Sequence, residues 1–249
     1  MIESLRNKFV KERFDLQEIL LVPVFATVLA LLIGCVFLLA TGESFANIFV
    51  AYSSLFIGSL GSLNAISETF TAATPLVFAA LGIALAFRAG LFNIGAEGQM
   101  IIGGLATVIV GFSIDFLPIW IHLPLALSIG ALFGALYAAI AGWLKAYTGA
   151  HEVISTIMLN LIALRLLDYV LRSPIIQKEG RNDPISKSIL DSAELPQILA
   201  FIDPQLRLHG GFLLMLVAVF FIYWLLFHTT IGYEFRATGA NPNAAKYAG

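Results

Sequence analysis

The chain has 249 residues, of which 59% are hydrophobic and only 12% charged, and its formal net charge is −2. A soluble domain carries about a quarter charged residues, so this balance points to a membrane class. The near-neutral charge and the lack of a dense basic cluster argue against a nucleic-acid partner, and a lone cysteine, Cys35, rules out an intramolecular disulfide.

In chain order, residues 1–18 carry Arg6, Lys8, Lys11 and Arg13 against Glu3, Glu12, Asp15 and Glu18. Lys and Arg next to a first span favour the cytoplasmic side, so this segment is expected to be cytoplasmic. The apolar run that follows is too long for a cleavable secretory signal. A helix needs ~20 apolar residues to cross ~30 Å of hydrocarbon. Six runs approach that length: 19–40, 70–87, 98–112, 123–143, 153–171 and 211–228. The fold class expected is therefore an all-α, polytopic transmembrane helical bundle. Residues 41–67 are mixed. Ser44 is placed to cap a short helix after Gly42, read as an outer or partly inserted helix.

The polar, glycine-rich break at residues 87–99, FRAGLFNIGAEGQ, interrupts two apolar runs. Lipid offers irregular backbone no hydrogen-bond partner, so a break at membrane depth has to be covered by protein or line a water-filled path. A turn with ordinary caps is the alternative. The early amides of the helix that starts near Glu97 and Gln99 are free to bind polar groups.

His151-Glu152 invites a metal reading, but Ser155 stands where the second histidine of His-Glu-x-x-His belongs, so helix capping accounts for both. In the fifth run Arg165 and Asp168 lie three residues apart, on one helix face, and are expected to form an ion pair. Asn160, deeper in the same helix, suits an interhelical hydrogen bond. Glu68 is read as a carboxylate at a helix start. Pro174, Pro184, Pro196 and Pro204 break up the loop 172–210, leaving room for a short amphipathic piece near 185–195. Six crossings place this loop outside, as a connector or a contact for an external partner, although its five Lys and Arg run against the charge rule.

At the end, Gly239 is expected to finish one helix, with Asn241 capping the next and Pro242 in its first turn. The small face at Ala244, Ala245 and Ala248 would let another protein approach closely. The chain has neither a phosphate-binding Gly-x-x-x-x-Gly-Lys-Ser/Thr loop nor a persuasive hydrolytic triad. No metal, cofactor or enzymatic activity is expected.

Three motifs in order, FRAGLFNIGAEGQ (87–99), EVISTIMLN (152–160) and RATGANPNAAKYAG (236–249), resemble the permease subunits of bacterial nucleoside ABC importers. That group extends to ribose and branched-chain amino-acid permeases. The resemblance implies one transmembrane permease domain in the bacterial cytoplasmic membrane. It implies a second permease subunit, a cytoplasmic ATPase and an extracytoplasmic substrate-binding protein as partners. Gly239, Asn241, Pro242, Ala244 and Ala245, within a cytoplasmic segment 230–249, match the part that docks on the ATPase. Asn93, Glu97, Gln99 and Asn160 are the expected path residues, touching substrate or supporting the broken helix. Family members continue past the last motif, so a truncated chain is expected here. Simple sugars or other small polar solutes are the alternative cargo. An ion-coupled secondary transporter using Arg165, Asp168 or Glu97, and a purely structural scaffold, are the competing classes.

Overall fold

The computed structural model describes residues 16–248. Most of the 1–18 segment and Gly249 therefore lie outside the described residues. By contacts the chain divides into two compact units, Met1–Ala65 and Ile66–Gly249. Among the described residues, six helices are long and apolar enough to cross a membrane, and no strand is named.

In the first unit, α1 (Leu16–Ala40) and α2 (Phe45–Leu60) form a helical hairpin. The tight turn between them has Gly42 at φ +96. Ser44 caps α2 as expected, its hydroxyl accepting from Asn47 N at 3.2 Å. The two helices are pinned by Tyr52, whose hydroxyl donates to the Leu31 carbonyl at 2.7 Å. At 16 residues α2 falls short of the ~20 needed to span. Large apolar side chains such as Phe25, Phe37 and Phe49 are exposed over this unit, as lipid-facing groups are.

The second unit takes in most of α3 (Leu63–Arg88), then α4 (Ala96–Ser113), α5 (Ile119–Thr148), α6 (Glu152–Leu171), α7 (Gly211–His228), α8 (Thr230–Ala240) and α9 (Pro242–Ala248). Among the described residues, α4 and α5 share the most extensive helix contact. A side-chain carbon on Gly103 would sit 2.8 Å from the Gly130 carbonyl oxygen, and one on Gly134 would sit 3.2 Å from that of Gln99. Gly130 and Gly134 form a small-xxx-small ridge. In lipid, where no hydrophobic force drives helices together, such ridges let backbones approach and gain dispersion contacts. Across α4, Gly98 packs on Asn160 and the fully buried Ala163 of α6.

Residues 172–210 are ordered by pairs within the segment and by bonds to three helices. Lys178 N donates to the Ile185 carbonyl at 2.9 Å and Lys187 N to that of Ile176 at 2.8 Å. The expected amphipathic piece near 185–195 is only a single 3-10 turn, Asp191–Ala193. Its backbone groups are instead used by these pairs and by Leu190 N on the Gly111 carbonyl, at 2.9 Å. Leu208 N donates to the buried Ser67 hydroxyl at 3.0 Å, and Leu206 is 2% exposed. The imidazole of His122, fully buried at the start of α5, lies 2.8 Å from Ser192 Oγ and 3.0 Å from the Val110 carbonyl. A carbonyl only accepts, so Nε2 carries a proton and donates to it.

Three sequence expectations are corrected here. Asp168 pairs with Arg172 at 3.1 Å, not with Arg165. Arg172 sits just past the helix end, one turn on, where its side chain folds back freely. Arg165 borders an apolar surface formed by Met158, Leu161, Ile162 and Leu166. Glu68 is not at a helix start, because α3 begins at Leu63; it meets Arg207 at 3.4 Å. Gly239 does not end α8, which runs through Ala240; the chain turns at Asn241 instead.

Candidate functional site

The site is built around the break. After α3 ends at Arg88, Gly90 takes φ +79, a value that favours glycine, and α4 does not begin until Ala96. Phe87 and Phe92 stack across the turn with ring centroids 4.7 Å apart. Irregular backbone needs partners, and α6 supplies them from two residues one turn apart. The Thr156 hydroxyl accepts from Ile94 N at 3.3 Å while donating to the Glu152 carbonyl at 2.8 Å. Asn160 uses both ends of its amide: Nδ2 donates to the Ile94 carbonyl at 3.0 Å, and Oδ1 accepts from Gly98 N at 2.9 Å. Within the break, Asn93 Oδ1 accepts from Gly95 N at 2.8 Å and from Gln99 Nε2 at 3.3 Å.

Three of the four expected path residues are thus brought together: Asn93, Gln99 and Asn160. Glu97 is not one of this cluster. It lies exposed in the first turn of α4 and does not border the cavity below. A helix turns 100° per residue, so Glu97 cannot share a face with Gln99 two positions on.

Beside the cluster lies a cavity of about 470 Å³ between α3, the break, α4, α5, α6 and α8. Its walls are mostly apolar, including Leu85, Leu91, Ala138 and Phe235. Its polar lining is Asn93, Gln99, Glu152 and Thr156. Apolar walls with a few convergent polar groups are the usual make-up of a small-molecule site. A second cavity of about 510 Å³ continues from Gln99 along the glycine seam of α4 and α5.

Glu152 is the residue that sequence reasoning missed. Among the described residues, it is the one charged side chain bordering the 470 Å³ cavity. Its Oε2 meets Lys145 Nζ at 2.7 Å, which bridges the short turn from α5 to α6. The capping explanation concealed this role, because first-turn position also suits a carboxylate for dipole reasons. Among the described residues, no group of three or more His, Cys, Asp or Glu converges to hold a metal ion.

The terminal helices join the same region. Thr229 caps α8, accepting from Gly232 N at 3.0 Å. A Cβ on Gly232 would overlap the Leu225 carbonyl, so α8 folds back tightly on α7. The Arg88 and Arg236 guanidinium carbons lie 5.9 and 5.3 Å from the Phe227 ring centroid, within cation–π range. Asn241 caps α9 as expected, its Oδ1 accepting from Asn243 N at 3.0 Å and Ala244 N at 3.1 Å. Between α8 and α9 runs a groove of about 520 Å³ bordered by Tyr233, Ala237, Pro242, Ala245 and Lys246. Ala244 and Tyr247 are exposed.

The six helices of spanning length among the described residues, with a polar break clamped at a cavity, define a multi-pass membrane protein of the permease type. The chain belongs to the family described as branched-chain amino acid transport system / permease component, whose pattern matches residues 65–249. It is 40% identical to the guanosine ABC transporter permease protein NupP of Bacillus subtilis, over 92% of this chain and 64% of that protein. It is 34% identical to the nucleoside ABC transporter permease protein NupB of Lactococcus lactis, over 92% of this chain and 63% of that one. It is also 34% identical to the glucose ABC transporter permease protein TsgB13 of Haloferax volcanii, over 91% and 60%. The chain thus spans less than two thirds of the length of these relatives. No solved structure matches it.

Proposed function

We propose that this chain is part of a permease subunit of an ABC importer, forming one side of the path for nucleosides and coupling it to an ATPase. The observation that carries the reading is the position of α8. Phe235 on this helix borders the 470 Å³ cavity, while Tyr233, Glu234 and Ala237 border the groove against α9. One short helix therefore touches both the path and the segment offered to a motor. Displacement of α9 by a partner shifts a cavity wall through α8, without any longer relay.

In this reading Asn93 and Gln99 meet the substrate, and Asn160 supports the break, since its amide is already committed to the backbone of Ile94 and Gly98. Glu97, exposed on the other face, drops out of the path. Asn241 and Pro242 set the start of α9, and Ala244 and Ala245 present its small face to the ATPase. Gly239 seats α8 and acts on docking only through it. A second permease subunit and an extracytoplasmic binding protein complete the assembly, as the ABC permease relatives imply. The names of two relatives, guanosine and nucleoside permeases, favour nucleoside cargo. The glucose permease relative supports simple sugars as the second reading.

The test is a full-length subunit carrying Ala244→Glu and Ala245→Glu. The expected result is normal membrane insertion, loss of ATPase co-purification and loss of ATP-driven nucleoside uptake. Unchanged association with the ATPase overturns the docking role.

A further inference from the structure

We propose that Glu152 reads the sugar of the substrate by accepting hydrogen bonds from the vicinal hydroxyls of ribose. The inference rests on the transport reading above and deepens it.

Among the residues bordering the 470 Å³ cavity, Glu152 alone is charged, and its side chain is only 16% exposed. Lys145 Nζ holds the buried Oε2 at 2.7 Å, so Oε1 is the oxygen left to meet a ligand in the cavity. A carboxylate oxygen has about two lone-pair sites, so Oε1 alone can accept from two donors. Vicinal hydroxyls offer two adjacent donors that can converge on one carboxylate oxygen, and bonds to an ionised acceptor are about twice as strong as neutral ones.

The arrangement of the lining favours the sugar over the base. Thr156 lies one turn from Glu152 on α6 and bonds to Ile94 in the break, next to Asn93, which in turn meets Gln99 of α4. The polar groups therefore form one contiguous edge, suited to a hydroxyl-rich ring. Leu85, Leu91, Ala138 and Phe235 leave apolar wall for a flat base. Lys145 acts as a positioning residue, holding the carboxylate from outside the lining.

The experiment uses the complete importer in proteoliposomes and compares ATP-driven uptake of guanosine, 2′,3′-dideoxyguanosine and inosine. Wild type and Glu152→Gln share the same binding protein, so its own selectivity cancels in the comparison. The wild type is expected to prefer guanosine over the dideoxy compound. Glu152→Gln is expected to reduce that preference about tenfold, the worth of one charge-assisted hydrogen bond, and to leave guanosine against inosine unchanged. Glu152→Asp, which keeps the charge and withdraws it by one methylene, is expected to fall between them. Equal loss for all three nucleosides overturns the assignment, as does a full wild-type preference in Glu152→Asp. A change in guanosine against inosine places the contact on the base and overturns it too. A wild-type importer that moves no nucleoside overturns both this inference and the transport reading. One that moves guanosine with no sugar preference overturns this inference alone.

Discussion

A side-chain carbon on Gly239 would stand 2.9 Å from the amide nitrogen of Gly90 and would overlap the Arg88 carbonyl. The two glycines are 149 positions apart in sequence, yet their backbones meet because neither has a side chain. This contact seats α8 on the turn that opens the break. Gly239→Ala is expected to push α8 off that seat at a cost of roughly 1–3 kcal/mol, the usual range for overpacking. Thermal unfolding in detergent reads the stability loss. In the assembled importer the same variant is expected to hydrolyse ATP with less substrate stimulation, and a wild-type response would contradict the seating argument.

Asn160→Ala leaves Gly98 N and the Ile94 carbonyl without their partner. The abandoned Gly98 amide is buried and costs about 1–3 kcal/mol, while the Ile94 carbonyl is at an exposed residue and adds less. Thr156→Val removes one acceptor, at Ile94 N, and is expected to cost less than Asn160→Ala. Unfolding midpoints of the two variants, measured in the same detergent, give the ranking.

Gly130→Val drives a branched side chain into Thr107 and the Gly103 carbonyl. The α4–α5 seam cannot open by a few tenths of an ångström to admit it. Expected outcomes are low yield of folded protein and faster exchange of a cysteine label placed on α5. Gly142→Ala, with nothing within 4 Å of the added carbon, is the matched control and is expected to be neutral.

Arg181 donates two hydrogen bonds to Asp183, each 2.8 Å long, outside the apolar spans. That hydrogen bonding holds the Asp183 carboxyl below the usual range near 4. The sign follows: the pair's contribution is present above the ordinary carboxylate value and is lost as pH falls through the lower folded value. Carboxyl-carbon titration by NMR is expected to show a depressed midpoint, and Arg181→Gln is expected to return it upward. Because the pair is exposed, global stability is expected to change little.

The spans were legible because the bilayer imposes one length on every apolar run, and the ends of all six fall within a few residues of expectation except where 63–69 and 144–148 extend helices past their apolar cores. The Ser44 and Asn241 caps were legible because capping is local. Long-range pairings were not. Asp168 had two arginines within a turn, Arg165 and Arg172, and spacing alone does not show which is freer to bend. Gly239 looked like a helix terminus because glycine commonly is one; its partner, Gly90, lies in the turn after α3, far away in sequence. Glu152 had a sufficient local explanation, and only the fold of α3, α5 and α8 around it creates a cavity. Glu97 shares a motif with Asn93 and Gln99, but it lies exposed and does not border the cavity, which motif membership alone does not reveal.

His122 ties Ser192 to the Val110 carbonyl, Leu190 is tied to Gly111, and Leu208 to Ser67. Three tethers on three different helices fix a segment that has almost no regular structure of its own. A partner landing on residues 172–210 therefore meets a relief already cast. It does not have to supply the ordering entropy that a floppy strap of that length would demand, about 0.5–1.5 kcal/mol for each side chain frozen.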